Sequence, residues 1–221
     1  MPLEVSPELL DELGSILSKM VDPVKVIFFS DNETKCELCN DTREVLSLLR
    51  DISYGKVVVE EYEVGSEVAR GVERSPVLVL RGKNRGSVRF IGSPLGYEFG
   101  TLVEDLIDLS TGKISITSGV AEALEASVWR PVRVMVFVTH DCPYCPIAVR
   151  ASHKLAMVNN KIIGDMVSAL ENPDLTKLYE ITAVPTIIVQ AGGVELGHVG
   201  TLREKELASL VLQALEKAKK G

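Results

Sequence analysis

Strand-like and helix-like patterns of apolar and polar residues occur twice along the chain, in the same order. Apolar runs at 24–30 and 132–139 each predict a buried strand, and each is followed by apolar residues at helical spacing. A second apolar run then follows in each copy, at 56–64 and at 161–170. The remaining paired elements are a short helix near 66–71 and 173–180, a strand at 75–82 and 184–193, a hairpin partner at 87–92 and 194–200, and a closing amphipathic helix at 97–110 and 203–218. The chain therefore predicts two copies of β-α-β-α-β-β-α.

Landmarks of four different kinds keep nearly the same offset between the two copies. Matching strand starts, first cysteines, prolines and glycines lie 106 to 109 residues apart, at Val24 and Val132, Cys36 and Cys142, Pro76 and Pro185, and Gly92 and Gly200. One extra helix precedes each copy, at 7–20 with Ser6 as its N-cap and at 119–127. Small and polar residues cluster at 110–119, so we predict an N-terminal unit at 1–117 and a C-terminal unit at 118–221.

Composition is that of an ordinary globular protein and argues against several function classes. The 221 residues are 46% hydrophobic and 25% charged, which is enough apolar material for a large core. The net charge of −7 and the absence of lysine- or arginine-rich blocks argue against a nucleic-acid partner. No apolar run reaches the roughly 18 residues that span a membrane, and the acidic start lacks the features of a signal peptide. We therefore predict a soluble, cytoplasmic protein without a membrane partner.

All four cysteines lie in C-x-x-C pairs, Cys36 with Cys39 and Cys142 with Cys145. If a strand ends just before each pair, the first cysteine lies at or next to a helix N-terminus, where free N–H groups and the helix dipole favour the thiolate. That thiolate can attack a disulfide, and the second thiol, one helical turn on, can resolve the mixed disulfide. The spacing thus predicts reversible redox couples in which Cys36 and Cys142 attack while Cys39 and Cys145 resolve.

Two other interpretations of the pairs remain open at this stage. Two C-x-x-C pairs can form a tetrahedral zinc site, although zinc ribbons separate them by about 15–20 residues and here 102 residues intervene. The pairs could also be buried without a function. Each pair occupies the same place in its own copy, which favours two separate redox centres over one shared metal site.

Three short segments resemble the thioredoxin and glutaredoxin families. "CPYC" at 142–145 is similar to the glutaredoxin active-site motif, and "VPTIIV" at 184–189 resembles the stretch in which thioredoxin-like proteins carry a cis-proline facing the cysteines. "SPVLVL" at 75–80 matches that stretch in the first copy. Two thioredoxin-like units that both keep C-x-x-C resemble the protein disulfide oxidoreductases of thermophilic archaea and bacteria. A related arrangement forms the N-terminal domain of the flavoprotein reductase that serves alkyl hydroperoxide peroxiredoxin, with one active pair.

The resemblance implies an α/β fold and a function. The expected architecture is two tandem thioredoxin-like folds, each a mixed central sheet flanked by helices, with an extra N-terminal helix. The implied activity is dithiol–disulfide exchange on protein substrates, by oxidation, reduction or isomerisation, with a thioredoxin-reductase-like flavoprotein as electron donor. Pro76 and Pro185 would shape the substrate groove, and Ser75 and Val184 would offer backbone groups to a substrate strand. The cysteines carry the chemistry, so neither a metal nor another cofactor is predicted.

Carboxylates are the main departure from the thioredoxin pattern. Ser30 and Val136 stand where thioredoxins carry a buried aspartate, six residues before the first cysteine. Glu60 and Asp165 occupy matching positions in the second strand of each copy and are the predicted proton-transfer groups, the alternative being a solvated strand end. The acidic Glu37 between the cysteines of the first pair disfavours a thiolate, so we predict that the second pair is the more active centre.

Two further functions compete with protein disulfide exchange. The "CPYC" motif is also typical of a glutaredoxin-like enzyme that reduces glutathione mixed disulfides. A thioredoxin-like groove could instead hold unfolded segments, as a non-catalytic binding or chaperone module. The first alternative would keep glutathione turnover without Cys39 and Cys145, and the second would keep binding without any cysteine.

Overall fold

The computed structural model describes residues 6–32 and 35–220, and its elements follow one another as two repeats. In chain order they are α1 (Pro7–Leu17), β1 (Val24–Ser30), α2 (Cys39–Ile52), β2 (Val57–Glu63), β3 (Val77–Arg81), β4 (Ser87–Ile91), α3 (Glu98–Thr111), α4 (Val120–Ser127), β5 (Val132–Val138), α5 (Cys145–Val158), β6 (Ile162–Ser168), α6 (Pro173–Leu178), β7 (Thr186–Ala191), β8 (Val194–Val199) and α7 (Glu204–Lys220). The predicted strands and closing helices are confirmed, with ends that shift by one or two residues.

One predicted element is wrong and one predicted cap is confirmed. The segment 66–71 forms consecutive turns, with Ala69 N–H donating to the Ser66 carbonyl at 3.0 Å, instead of a helix. Gly65 and Gly71 bound it with φ of +91° and +86°, which lie in the left-handed region and turn the chain away from a right-handed helix at both ends. At the start of α1, the Ser6 hydroxyl accepts from Leu9 N–H at 3.3 Å, as expected of an N-cap.

A single eight-stranded mixed sheet runs through both repeats, in the order β2-β1-β3-β4-β6-β5-β7-β8. Within each repeat the first two strands are parallel, and the third and fourth pair antiparallel beside them. Parallel pairing of β4 with β6, from Ser87 opposite Ile163 to Ile91 opposite Val167, joins the two repeats. The expected mixed sheets are therefore present, but they form one continuous sheet.

The sheet separates two buried clusters of unequal size. Alternation along β1 sends Val26 and Phe28 to the larger cluster and Phe29 to the smaller one. The larger cluster contains all four cysteines and the apolar faces of the long helices, whereas the smaller one lies under α6 and the turns near 72. Both redox motifs therefore belong to the same face of the sheet.

Between α3 and α4 the chain runs through an irregular segment at 112–119, beginning with Gly112 at φ +70° as a left-handed helix cap. The boundary that we predict at 117/118 falls within this segment and stays a prediction. Within the part of the chain that the structure describes, no helix has both the length and the apolar character needed to cross a bilayer.

Candidate functional site

The first cysteine pair lies in the turn that leads into α2. Cys36 and Cys39 form a disulfide with their Cα atoms 5.4 Å apart, and Cys39 N–H donates to the Cys36 carbonyl at 3.4 Å. Cys39 is the first residue of the helix, so Cys36 lies almost one turn before it and not on it. The positive end of the helix still faces the pair, because the free N–H groups of the first turn point toward it.

The second pair repeats this geometry before α5. Cys142 and Cys145 form a disulfide with a Cα separation of 5.5 Å, and Cys145 N–H donates to the Cys142 carbonyl at 3.4 Å. Cys142 is 8% exposed and Cys145 is fully buried, the same order as Cys36 and Cys39 in the first pair. In each pair the first cysteine is thus the more exposed residue and the second is the more deeply buried.

Both prolines of the predicted groove follow cis peptide bonds, Ser75–Pro76 and Val184–Pro185, as the resemblance implied. The Pro76 carbonyl accepts from Gly92 N–H at 2.8 Å, and the Pro185 carbonyl accepts from Gly200 N–H at the same distance. Ser75 and Pro76 line a cavity of about 670 Å³ together with Cys36. The first pair, its proline and Ser75 therefore share one cleft.

Hydrogen bonds connect the first pair to the loop that enters the second. The hydroxyls of Thr42 and Ser93 lie 2.5 Å apart and 2.7 and 3.3 Å from the carbonyl of Leu38, which stands between Cys36 and Cys39. One of the two hydroxyls therefore donates to this carbonyl and the other donates to the first hydroxyl. On its other side, the Ser93 carbonyl accepts from His140 Nε2 at 3.1 Å.

His140 and Glu171 complete this connection from the C-terminal repeat. Ser93 N–H donates to both Glu171 carboxylate oxygens at 3.0 Å, and His140 Nε2 lies 3.2 Å from one of them. The hydrogen bond with Glu171 raises the pKa of His140, because the carboxylate favours the imidazolium. The sequence pattern does not point to Ser93 or Glu171, because neither lies near a cysteine in the chain.

Glu98 is a second residue that the sequence pattern does not reveal. It is fully buried at the start of α3, and neither of its carboxylate oxygens has a hydrogen-bond partner among the described residues. Tyr97 N–H donates to the His140 carbonyl at 3.1 Å, which fastens this helix end to the loop entering the second pair. Burial raises the pKa of the Glu98 carboxyl to about 7. A carboxyl that titrates near neutrality can exchange protons under the conditions in which thiols exchange disulfides.

Gly96 explains how α3 comes so close to the second pair. Its φ is +60°, and a Cβ atom at this position would collide with the carbonyl of His140. A glycine is therefore needed both for the left-handed turn and for the approach of the two backbones. The one sequence signal for Glu98 is an acidic residue on the buried side of a helix, four residues before Leu102.

We expect Glu98 to make stability depend on pH. The pKa of Glu98 in the folded protein, about 7, exceeds its ordinary value of 4.5, so the folded form prefers the neutral acid. The contribution of Glu98 to the free energy of unfolding is therefore most favourable below about pH 4.5, and it falls as the pH rises to about 7. Urea unfolding at pH 4, 5.5 and 8 should show E98Q equal to wild type at pH 4 and more stable by about 3 kcal/mol at pH 8.

The control for this experiment is E104Q on the exposed side of the same helix, where Glu104 pairs with Arg150. Glu104 is the exposed partner and Arg150 keeps its ion pairs with Asp105 and Asp108, so E104Q should cost about 0–1 kcal/mol and follow the wild-type pH profile. If E98Q also follows that profile, Glu98 is not held neutral by burial.

The two predicted proton-transfer carboxylates lie on the face of the sheet opposite the cysteines. Asp165 is fully buried and forms ion pairs with Arg89 and Arg133, both at 2.6 Å. Glu60 is partly exposed on the outermost strand and pairs with Lys25 at 2.6 Å, which lowers its pKa. Alternation along the strands sends both side chains away from α2 and α5. Their positions indicate structural roles, and proton transfer stays an untested prediction.

The described residues do not gather the cysteines into a group with other metal-binding side chains. In residues 6–32 and 35–220, no group of three or more histidine, cysteine, aspartate or glutamate side chains is arranged to hold a metal ion. Each disulfide instead joins the two cysteines of one motif. The arrangement supports two separate two-electron couples, each opening a helix of its own.

Comparison with known proteins shows which proteins this chain resembles. The family model of the thioredoxin domain matches residues 132–212. The crystal structure of a protein disulfide oxidoreductase from Aeropyrum pernix superposes with a TM-score of 0.85 at 30% identity, covering 97% of this chain and 95% of that one. A thioredoxin of Echinococcus granulosus is 31% identical over 91 residues, which are 41% of this chain and 85% of the relative.

A longer protein also matches most of the chain. An alkyl hydroperoxide reductase of Pseudomonas aeruginosa is 25% identical over 191 residues, which are 86% of this chain and 34% of that protein. The chain thus spans about a third of the length of this relative. The similarity to the Aeropyrum pernix structure extends along 97% of this chain, and the chain has two C-x-x-C disulfides in tandem thioredoxin-like repeats. Together these observations assign the chain to a family.

Proposed function

Because the chain belongs to the protein disulfide oxidoreductases, we propose that each of its two cysteine pairs is a redox centre in its own right. Thiol–disulfide exchange is the activity of this family, and each pair would carry it out separately. The observation that carries the proposal is the repeated geometry, in which the first cysteine of each disulfide is more exposed than the second. Cys36 and Cys142 attack in this assignment, and Cys39 and Cys145 resolve.

In the reducing direction, exchange moves two electrons from one pair to the substrate. The Cys142 thiolate attacks a substrate disulfide, forms a mixed disulfide and releases one substrate sulfur as a thiolate that takes up a proton. The Cys145 thiolate then attacks the Cys142 sulfur and releases the second substrate sulfur. The pair ends as a disulfide and the substrate as two thiols. Cys36 and Cys39 carry out the same steps at the first pair, and oxidation of a substrate is the reverse.

The substrate groove that we propose runs past the cis-prolines. Pro76 and Pro185 have no N–H, so Ser75 and Val184 present the neighbouring backbone groups to an extended substrate segment. The shared cleft of Cys36, Ser75 and Pro76 supports this assignment for the first pair.

Redox partners with disulfides or dithiols are required by the activity, and we propose a thioredoxin-reductase-like flavoprotein as the electron donor. An alkyl hydroperoxide reductase of Pseudomonas aeruginosa matches 86% of this chain, and the matched part is 34% of that longer protein. We also propose a cytoplasmic location, because all four cysteines lie in C-x-x-C pairs and not in the scattered framework of secreted proteins. Turnover with a purified reductase of this type and a pyridine nucleotide tests the donor.

A redox titration with site-resolved readout tests the proposal. The protein is equilibrated in thiol–disulfide buffers of defined potential, its free thiols are alkylated, and the peptides carrying each pair are quantified by mass spectrometry. We expect two reversible two-electron transitions, in which a tenfold change in equilibrium constant corresponds to about 30 mV. Alkylation that requires a chelator under reducing conditions would instead indicate a metal site, and a pair that never becomes reduced would not be a redox centre.

A further inference from the structure

The cleft beside Cys36 is built from both repeats. Its N-terminal side carries the redox motif and the cis-proline. Its other side consists of residues from the C-terminal repeat, namely His140, Leu170, Glu171 and Pro173. The last three belong to the segment from Ala169, after β6, to Asp174, in the first turn of α6, which we call the wall of the cleft. A substrate segment bound in this cleft would therefore also contact residues of the other repeat.

Hydrogen bonds hold the wall against the N-terminal repeat at several points. Ser93 N–H donates to both oxygens of Glu171 at 3.0 Å. The Asn172 side chain donates to the Ile91 carbonyl at 3.2 Å and accepts from Arg74 at 3.0 Å. Arg74 immediately precedes Ser75, and it also pairs with Asp174 at 3.1 Å. The wall is thus fastened both to the end of β4 and to the loop that carries the cis-proline.

The wall presents an apolar side chain to the cleft. Leu170 is 74% exposed, whereas the preceding Ala169 is buried and the side chain of the following Glu171 is only 13% exposed. The carboxylate of Glu171 is occupied by Ser93 and His140, so its charge is not directed at a substrate. Leu38 and Pro76 add apolar surface to the same cleft. Lys35 and Glu37 also line the cleft, but the exposed surface of Leu170 itself is apolar and favours an apolar side chain of the substrate at this point.

We propose that Leu170 is a specificity-determining residue of the first redox centre, and that it contacts an apolar side chain next to the half-cystine that Cys36 attacks. The proposal rests on the proposed function, because it takes Cys36 as the attacking sulfur. Glu171, His140 and Asn172 act as positioning residues, since they hold the wall through contacts with the N-terminal repeat and leave Leu170 exposed. The C-terminal repeat thereby selects substrates for a cysteine pair of the N-terminal repeat.

The test uses the full chain with the second pair silenced as C142S/C145S, and two peptides with a single disulfide that differ only in leucine or serine beside one half-cystine. In this background we expect L170A to lower kcat/KM for the leucine peptide about tenfold, mainly through KM, and to leave the serine peptide unchanged. L170M should restore most of the loss, because methionine fills a similar volume. The control is L178A on α6, a leucine that is also exposed but does not line the cleft.

Each other outcome decides against the proposal. If L170A affects both peptides equally, or acts as strongly with the first pair silenced as C36S/C39S, Leu170 does not select substrates for Cys36. If L170A changes the oligomeric state in sedimentation, the wall is a contact between copies of the chain. If L170A leaves the turnover of both peptides unchanged, the proposed role of Leu170 is overturned, whereas the proposed function of the first pair is not. If the C142S/C145S variant turns over neither peptide, the proposed function of the first pair is overturned, and the proposed role of Leu170 is overturned as well.

Discussion

Replacing Cys36 and Cys142 together with serine is expected to abolish reduction of a disulfide-bonded test protein, with a loss on the order of 10³-fold or more. A serine hydroxyl is not ionised at neutral pH and cannot form a mixed disulfide, so neither pair can start the exchange. The measurement is the rate of substrate reduction with a dithiol donor, after circular dichroism has established that the variant is folded. Residual activity near the wild-type level would mean that another group attacks the substrate.

Variants of single pairs compare the two centres. C142S/C145S keeps only the first pair and C36S/C39S only the second, and we expect the second pair to be the faster because Glu37 disfavours a thiolate at the first. Equal rates for the two variants would show that Glu37 does not make the first pair the slower centre.

The competing functions differ in what they lose. The resolving variant C39S/C145S should accumulate mixed disulfides with protein substrates. Glutathione-dependent turnover that survives in this variant would favour the glutaredoxin-like enzyme. Substrate binding that persists with all four cysteines replaced by serine, without any exchange in wild type, would favour the binding module.

Changing Asp165 to asparagine is expected to lower the free energy of unfolding by about 3–5 kcal/mol, because it leaves Arg89 and Arg133 facing a buried neutral group. Arg89 belongs to β4 and Asp165 to β6, the two strands that join the repeats, so the loss should appear as weaker docking of the repeats. Urea unfolding measures it. Exchange activity per folded molecule should stay within about twofold of wild type, since the carboxylate lies on the face away from the cysteines.

The matched control is E60Q, because Glu60 occupies the same position in the first repeat. Its ion pair with Lys25 is exposed to solvent, so its loss should change stability by about 0–1 kcal/mol. A loss of exchange activity in folded D165N or E60Q would support the proton-transfer role that the sequence predicts for the substituted residue. Equal destabilisation by the two substitutions would contradict the structural role of Asp165.

Local patterns in the sequence predict most of the fold. The strands from Val24 and Val132, the closing helices and the cap at Ser6 depend on residues close together in the chain, and all are confirmed. The helix near 66–71 fails for an equally local reason, because the glycines at its ends have φ values in the left-handed region, which a right-handed helix does not use. Its counterpart α6 forms where Pro173 starts a helix.

The candidate site divides in a different way. Cys36 and Cys142 could be recognised because two residues separate each from its partner, and the prolines because of their place in a repeated strand. Glu98 looks like a solvated acid at the start of an amphipathic helix, and only its packing makes it a buried group with a pKa of about 7. Asp165 and Glu60 match in the sequence, yet one is enclosed by two arginines and the other lies on the outermost strand.

The sequence by itself therefore determined the duplication, the order of the elements and the identity of the redox cysteines, because each depends on spacing along the chain. Only the tertiary structure decided how the repeats meet. Pairing of β4 with β6 brings Ser93 to Glu171 and His140, residues that are 78 and 47 positions from it in sequence. Contacts between residues so far apart in sequence follow from the docking of the two repeats, and the periodicity of apolar residues along the chain does not predict them.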